Sequence, residues 1–250
     1  MAVSVVAVLG LAAGCSGSGG GKDDGAGDEG GKPSKSAQAP GASSDAPSDA
    51  SATVARLQKA ALASGDVKKY EVEEAPAKAA AQGRVTPADC RPLSDWLDAT
   101  TPQKSTAHVS RTLTSTDVED GTTTEVVLFA YDRADAEKTM DTLRAATKSK
   151  KCATFRGGSH RYIGVRPQPA PVGGDEAVSY KLANRADEFL ERHRVSVVRS
   201  GSTLIAFRAV NIFDPESVGD DAGDKGGAAG DPEVAEAIVD AQLEKLAGTK

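Results

Sequence analysis

Aromatic side chains are scarce in this chain, at 4% of 250 residues with a single tryptophan, so any hydrophobic core has to be built mainly from aliphatic side chains. No run of about eighteen apolar residues occurs anywhere, which excludes a conventional membrane-spanning helix. Histidine is limited to His108, His160 and His193 and cysteine to Cys15, Cys90 and Cys152, with no close ligand spacing between them, so neither a metal nor a cofactor is expected. The G-x-S-x-G, S-x-x-K and H-E-x-x-H signatures are absent, and no catalytic residue is assigned. A net charge of −6 argues against a dedicated nucleic-acid binder.

What is present begins with targeting. Residues 1–15 form a short apolar run, and its closing Leu11-Ala12-Ala13-Gly14-Cys15 resembles a bacterial lipobox, in which the cysteine is lipidated and becomes the mature N-terminus. Cys15 is therefore the expected lipidation site, and the membrane the expected partner through that lipid. The run lacks the Lys or Arg that opens a signal peptide, so the true start is expected upstream of Met1. With Cys15 lipidated, Cys90 and Cys152 are an even pair in an exported chain, which points to a disulfide.

Residues 16–52 contain no Val, Ile, Leu, Met, Phe, Tyr or Trp, and a segment with nothing apolar to bury cannot offset the entropy of ordering its backbone. This stretch reads as a disordered tether, spanning roughly 30 Å as a flexible coil. Residues 53–250 read as one domain. Val54, Leu57, Ala61 and Leu62 fall at helical spacing, and Val67 to Glu74 alternates like a strand. Leu93, Trp96 and Leu97 have the spacing of a short helix. Two Thr- and Val-rich runs, 107–114 and 122–131, flank Glu119-Asp120-Gly121 as a hairpin. Asp132 is an N-cap for a helix to about Lys148, with Ala136, Met140, Leu143 and Thr147 as its stripe. Strands follow at 161–166, 176–183, 192–199 and 203–212, the last two joined by a turn at Ser200-Gly201. A Gly/Asp-rich stretch, 219–230, reads as a mobile loop, and Asp231-Pro232 as the cap of a final helix. Neighbouring strands joined by turns, with helices between them, indicate an α+β fold: an antiparallel sheet with helices packed on it.

Three local motifs have plain explanations. Gly157-Gly158-Ser159-His160 reads as a surface turn rather than a serine site, and Gly173-Gly174-Asp175-Glu176-Ala177 as a turn feeding a strand rather than a cyclase signature. Asp220, Asp221, Asp224 and Asp231 do not have the spacing of a calcium loop. Charge distribution is more informative. Residues 148–213 hold twelve basic against five acidic side chains, a local +7 within an acidic chain. Arg192 and Arg194 share a strand face with Ser196 and Val198, while His193, Val195 and Val197 share the other. Arg192, Arg194, Arg199 and Arg208 are the candidate anionic-ligand surface, for an envelope polymer or a lipid headgroup, the alternative being a solvated sheet face balanced by the acidic segments.

Together, the lipobox-like Cys15, Cys90 ahead of a short helix, Cys152 directly after a helix, the turn and strand from Val172 to Val178, and the hairpin through Ser200-Gly201 before a terminal helix resemble actinobacterial cell-envelope lipoproteins. The order of elements over residues 53–248 is similar to the extracytoplasmic sensor domain of mycobacterial PknH-type serine/threonine kinases. That domain has two disulfides where this chain has cysteines for one. The resemblance implies an antiparallel sheet with helices around a cleft, and a role in binding a small ligand. The expectation is a lipid-anchored, non-catalytic binding domain on the extracytoplasmic face of the cell membrane. An accessory lipoprotein contacting another envelope protein is the alternative, and an envelope hydrolase the third.

Overall fold

Helix α1, Asp49–Ala60, opens the described chain and sets its Leu57 and Ala60 against the sheet. The structure is a computed structural model that describes residues 49–75, 83–97, 104–117, 119–186, 188–213 and 230–249. Cys15, the lipobox and the tether up to residue 48 lie outside the described residues, as does the 219–229 part of the Gly/Asp-rich loop. The helix begins at Asp49 rather than at Thr53. Ala and Ser tolerate a helix on a solvated face, and the Asp49 carboxylate complements the positive end of its dipole.

Strands β1 (Tyr70–Glu74) and β2 (Val85–Thr86) follow, then a 3-10 turn over Ala88–Cys90 and the short helix α2 (Arg91–Ser94). β3 (Ala107–Ser115) and β4 (Thr123–Ala130) form the expected hairpin, and α3 (Arg133–Lys148) starts after Asp132 in extended conformation, as the sequence predicts. A second 3-10 turn, Lys150–Cys152, leads into β5 (Thr154–Gly157), β6 (His160–Gln168), β7 (Glu176–Ala186), β8 (Phe189–Ser200) and β9 (Thr203–Phe213). Helix α4, Glu236–Ala247, closes the chain.

The nine strands make one antiparallel sheet in the order β1-β3-β4-β9-β8-β7-β6-β5-β2. The α+β fold is thus as the sequence indicates. Strict alternation along the strands splits the core between two faces. On the first face Val127, Phe129, Val178, Tyr180, Val195 and Val197 pack under α3, through Ala136, Met140 and Leu143, and under α2 and the turn after it, through Leu93 and Trp96. On the second face Val126, Leu128, Val198, Ile205 and Phe207 pack under α1 and α4. Gln242 of α4 is buried there and completes the end of α1, donating to the Ala60 carbonyl at 2.7 Å and accepting from the Leu62 amide.

Cys90 and Cys152 are joined, with Cα atoms 5.5 Å apart, so the segment before α2 is tied to the turn after α3. Two boundaries differ from expectation. Ser200 pairs with Thr203, so the loop of the β8–β9 hairpin is Gly201-Ser202 and not Ser200-Gly201. Gly201, at φ +64°, takes the first loop position, where a side chain would be strained. Helix α4 starts at Glu236 rather than beside Asp231-Pro232, because Asp231 is drawn to Lys181 and Arg192 on the second face while Pro232 is buried.

Candidate functional site

Cross-strand register stacks the first face into rows. Glu176, Arg199, Leu204, Phe129 and His108 form the row at one end, with Val178, Val197, Ala206, Val127 and Ser110 next to it. Helix α3 covers this end. Tyr180, Val195, Arg208, Glu125 and Thr112 form the middle row, where α2 reaches down. Tyr180 donates its hydroxyl to the Leu93 carbonyl at 2.8 Å, and Arg208 donates to the Leu97 carbonyl. Beyond it come Leu182, His193, Val210 and Thr123, and then Tyr162, Asn184, Glu191 and Ile212. No described helix crosses these last rows, and a cleft of about 430 Å³ opens there, lined by Thr112, Gly121, Thr123, Glu125, Glu191, His193, Arg208, Val210 and Ile212. That volume lies within the roughly 300–1,000 Å³ of small-molecule sites.

Two polar groups furnish the cleft. In one, Glu125 is buried at the floor, where Oε1 accepts from the Ser110 hydroxyl at 3.2 Å and Oε2 accepts from the Arg208 guanidinium. In the other, Asn184, 1% exposed, bridges Glu191 and His193. Its amide nitrogen donates to Glu191 Oε2 at 2.9 Å, and its oxygen sits 2.7 Å from His193 Nε2. The His193 ring, 5% exposed, meets Tyr162 edge-on with ring centroids 6.3 Å apart, and Tyr162 stacks on Phe155, which holds the imidazole in place. The neighbouring His193 ring holds the Glu191 carboxyl down to about 2, with help from Asn184 and against the opposing effect of burial. His193 Nδ1 is buried and accepts or donates no bond among the described residues.

The four arginines expected to form one surface are divided between the two faces. Arg192 and Arg194 point to the second face. Arg192 lies 3.9 Å from Asp231, and Arg194 donates to Gln168 Oε1 at 2.6 Å, with burial pulling its guanidinium below the ordinary value. Arg199 lies on the first face, 8% exposed, donating to Glu176 at 2.6 Å and to Asp175 at 2.8 Å. Arg208 alone lines the cleft. The strand-face assignment of His193, Val195 and Val197 holds, and it carries the signal for the cleft itself. Counting back in twos from Val197 and Val195 reaches His193 and Glu191, and counting back from Phe129 and Val127 reaches Glu125. A polar residue in an apolar series marks where the core ends.

The Gly173-Gly174-Asp175-Glu176 motif is structural. A Cβ on Gly174, at φ +68°, would come within 2.5 Å of the Arg199 carbonyl oxygen and of Val198 Cγ1. This close approach lets Asp175 Oδ2 accept from the Gly201 amide at 2.8 Å and from Arg199, while Glu176 bridges Arg199 and Arg144. A larger groove of about 610 Å³ lies between α2 and α3, lined by Pro92, Trp96, Lys104, Asp135 and Lys138 among others. Two charged pairs lie along it, Lys104 with Asp135 and Arg91 with Asp95.

No family model matches the chain, and no curated protein matches it. Two solved structures are similar to it in fold. One is an ortholog of Rv0999 from Mycobacterium smegmatis, 14% identical, matching 79% of this chain and 93% of that one with a TM-score of 0.37. The other is the extracellular domain of PknH from Mycobacterium tuberculosis, 11% identical, matching 78% of this chain and 95% of that one with a TM-score of 0.46.

Proposed function

We propose that this chain is an exported, lipid-anchored binding protein, without catalytic activity, whose small ligand sits in the cleft between Glu191, His193 and Arg208. The observation that carries the reading is His193: a ring held on two sides, buried, lining a cleft, with one nitrogen that no described residue satisfies. Buried polar atoms without partners are rare and concentrate where a ligand or water completes them. The Cys90–Cys152 bridge supports an oxidising compartment, and the lipobox ending at Cys15 supports anchorage through lipid. The reading as a binder rather than a hydrolase rests on the absence of a hydroxyl or thiol nucleophile bonded to His193 among the described residues. Arg192, Arg194, Arg199 and Arg208 serve the fold in this reading, each holding a carboxylate or a neighbouring side chain.

The test is to pass mycobacterial envelope extract over the full chain and identify retained small molecules by mass spectrometry. Val210→Trp, which fills the cleft, serves as the comparison. A species held by the native chain and lost from the variant supports the reading. Retention of nothing above a heat-denatured control, or equal retention by both chains, contradicts it.

A further inference from the structure

The second face of the sheet is covered only in part. The buried cluster under α1 and α4 draws on β3, β4, β8 and β9, and no residue of β5 or β6 enters it. On the uncovered side the register lines up basic residues. Arg156 of β5 pairs directly with Arg161 of β6, and Arg185 of β7 lies on the other side of Arg161, one step beyond the Tyr162–Asn184 pair. Two rows away Arg166 pairs with Lys181, and Thr154, Ile163, Ala183 and Arg192 form the row between. Thr154, Arg156, Arg161, Ile163, Arg166 and Arg185 are all exposed, Ile163 to 40%. Among the described residues Arg156, Arg161, Arg166 and Arg185 have no ion pair and no side-chain hydrogen bond. Glu176 is the one acid within β5, β6 and β7, and it is engaged on the first face by Arg199 and Arg144. Asp231 is held by Lys181 and Arg192, and Glu188, exposed in the β7–β8 turn, pairs with none of these arginines. Like charges directly opposite one another on adjacent strands destabilise a sheet, so a row of three guanidinium groups with no carboxylate among them calls for an anion from outside the fold.

We infer that this uncovered side, Arg156, Arg161, Arg166 and Arg185 around Ile163, docks on the anionic phospholipid headgroups of a membrane surface. Guanidinium groups match phosphate oxygens in a two-point fork, and clustered positive charge is drawn to a negative bilayer within a Debye length of it. The exposed Ile163 among the arginines favours a bilayer over a hydrated polymer, because only the headgroup–acyl boundary offers an apolar phase to take it up. Placement agrees. The chain enters the domain through α1, which packs on this same face, so a lipid at Cys15, the anchorage proposed above, draws the domain to the membrane from the side on which the arginines lie. The cleft, on the opposite face, is then turned away from the membrane and left open to its ligand.

The experiment measures co-sedimentation of the full chain with vesicles of mixed phosphatidylglycerol and phosphatidylcholine, and with vesicles of phosphatidylcholine alone. Cys15→Ser is carried throughout, so no lipid contributes and anchorage through Cys15 stands or falls separately. Phosphatidylcholine alone reports any background from the apolar residues 1–15. Binding is expected to need phosphatidylglycerol and to be lost at about 0.5 M salt. It is expected to weaken about a hundredfold in Arg156→Gln/Arg161→Gln/Arg185→Gln, about fivefold for each arginine removed. Lys148→Gln/Lys150→Gln/Lys151→Gln removes the same charge from exposed positions at the end of α3, the helix of the other face, and is expected to change binding by no more than about twofold. Ile163→Trp is expected to give an emission that shifts to the blue on the anionic vesicles, over a constant background from the buried Trp96. Four results overturn the inference: no preference for phosphatidylglycerol, equal losses in the two triple variants, an unshifted Ile163→Trp emission on bound vesicles, or binding of inorganic polyphosphate as tight as that of the vesicles.

Discussion

The two ends of one sheet face use the same strands and the same alternation, yet they leave their polar side chains in opposite conditions. Under α3, Arg199 and Arg144 close on Glu176 and Asp175, and every charge in the row has an answering group. At the open end Asn184, Glu191 and His193 are ordered as well, but the chain of bonds stops at His193 Nδ1. A network that closes on itself stabilises the fold. One that ends on an unpartnered ring nitrogen beside a cleft is positioned for something outside the chain.

This contrast can be broken most forcefully at the closed end. Replacing Cys90 and Cys152 by Ser releases the segment carrying α2 from the turn after α3, across a separation of 62 residues. A loss of about 4 kcal/mol in unfolding free energy is expected from the greater conformational entropy of the unfolded chain without the cross-link, measured by urea denaturation. Arg199→Ala removes a guanidinium that is 10% exposed and that bonds both Asp175 and Glu176. Glu176 keeps Arg144, so a loss of about 3 kcal/mol is expected, at the lower end of what breaking a buried pair costs. At the open end, His193→Leu removes an unsatisfied atom but also leaves the buried Asn184 oxygen without its partner, and a loss of about 1–2 kcal/mol is expected. A loss from His193→Leu equal to that from Arg199→Ala would erase the distinction between the two ends.

The smallest effect is in the pH profile. Glu191 lies at about 2 in the folded chain against an ordinary 4.5, so it stays ionised there while the unfolded chain takes up a proton. Its contribution is present in full above pH 4.5 and is lost as the pH falls towards about 2. Glu191→Gln should flatten that part of the stability curve in acid denaturation, and an unchanged slope would show that the Glu191–His193–Asn184 group is not formed in solution.

Much of this architecture is legible along the chain. Asp132 at the position before the helix and the stripe Ala136–Met140–Leu143 locate α3, because residue preference at a helix start and helical periodicity are local signals, although Asp132 makes no side-chain capping bond. The hairpin at β8–β9 is legible too, with its turn one residue out, because the preference for glycine at positive φ does not by itself fix which loop position it fills. The short strands β2 and β5 are not, since two and four residues carry too little periodicity to register. The start of α4 was displaced by a non-local event, the capture of Asp231 by Lys181 and Arg192.

The site was half legible. Runs of arginine are conspicuous in a sequence, but pairing depends on which strand lies opposite, and Glu176 and Glu125 meet Arg199 and Arg208 only through the register of the sheet. The cleft is marked instead by polar residues in phase with an apolar series, Glu191 and His193 before Val195 and Glu125 before Val127. Asn184 joins them from β7, where nothing in its own neighbourhood announces the role.

The central claim is that the open end of this face, and not the larger groove between α2 and α3, receives the ligand. A crystal structure of the full chain carrying a molecule retained from envelope extract tests it most directly. The account predicts density between Glu191, His193 and Ile212. Density in the groove beside Trp96 and Lys138, with the cleft empty, would contradict it.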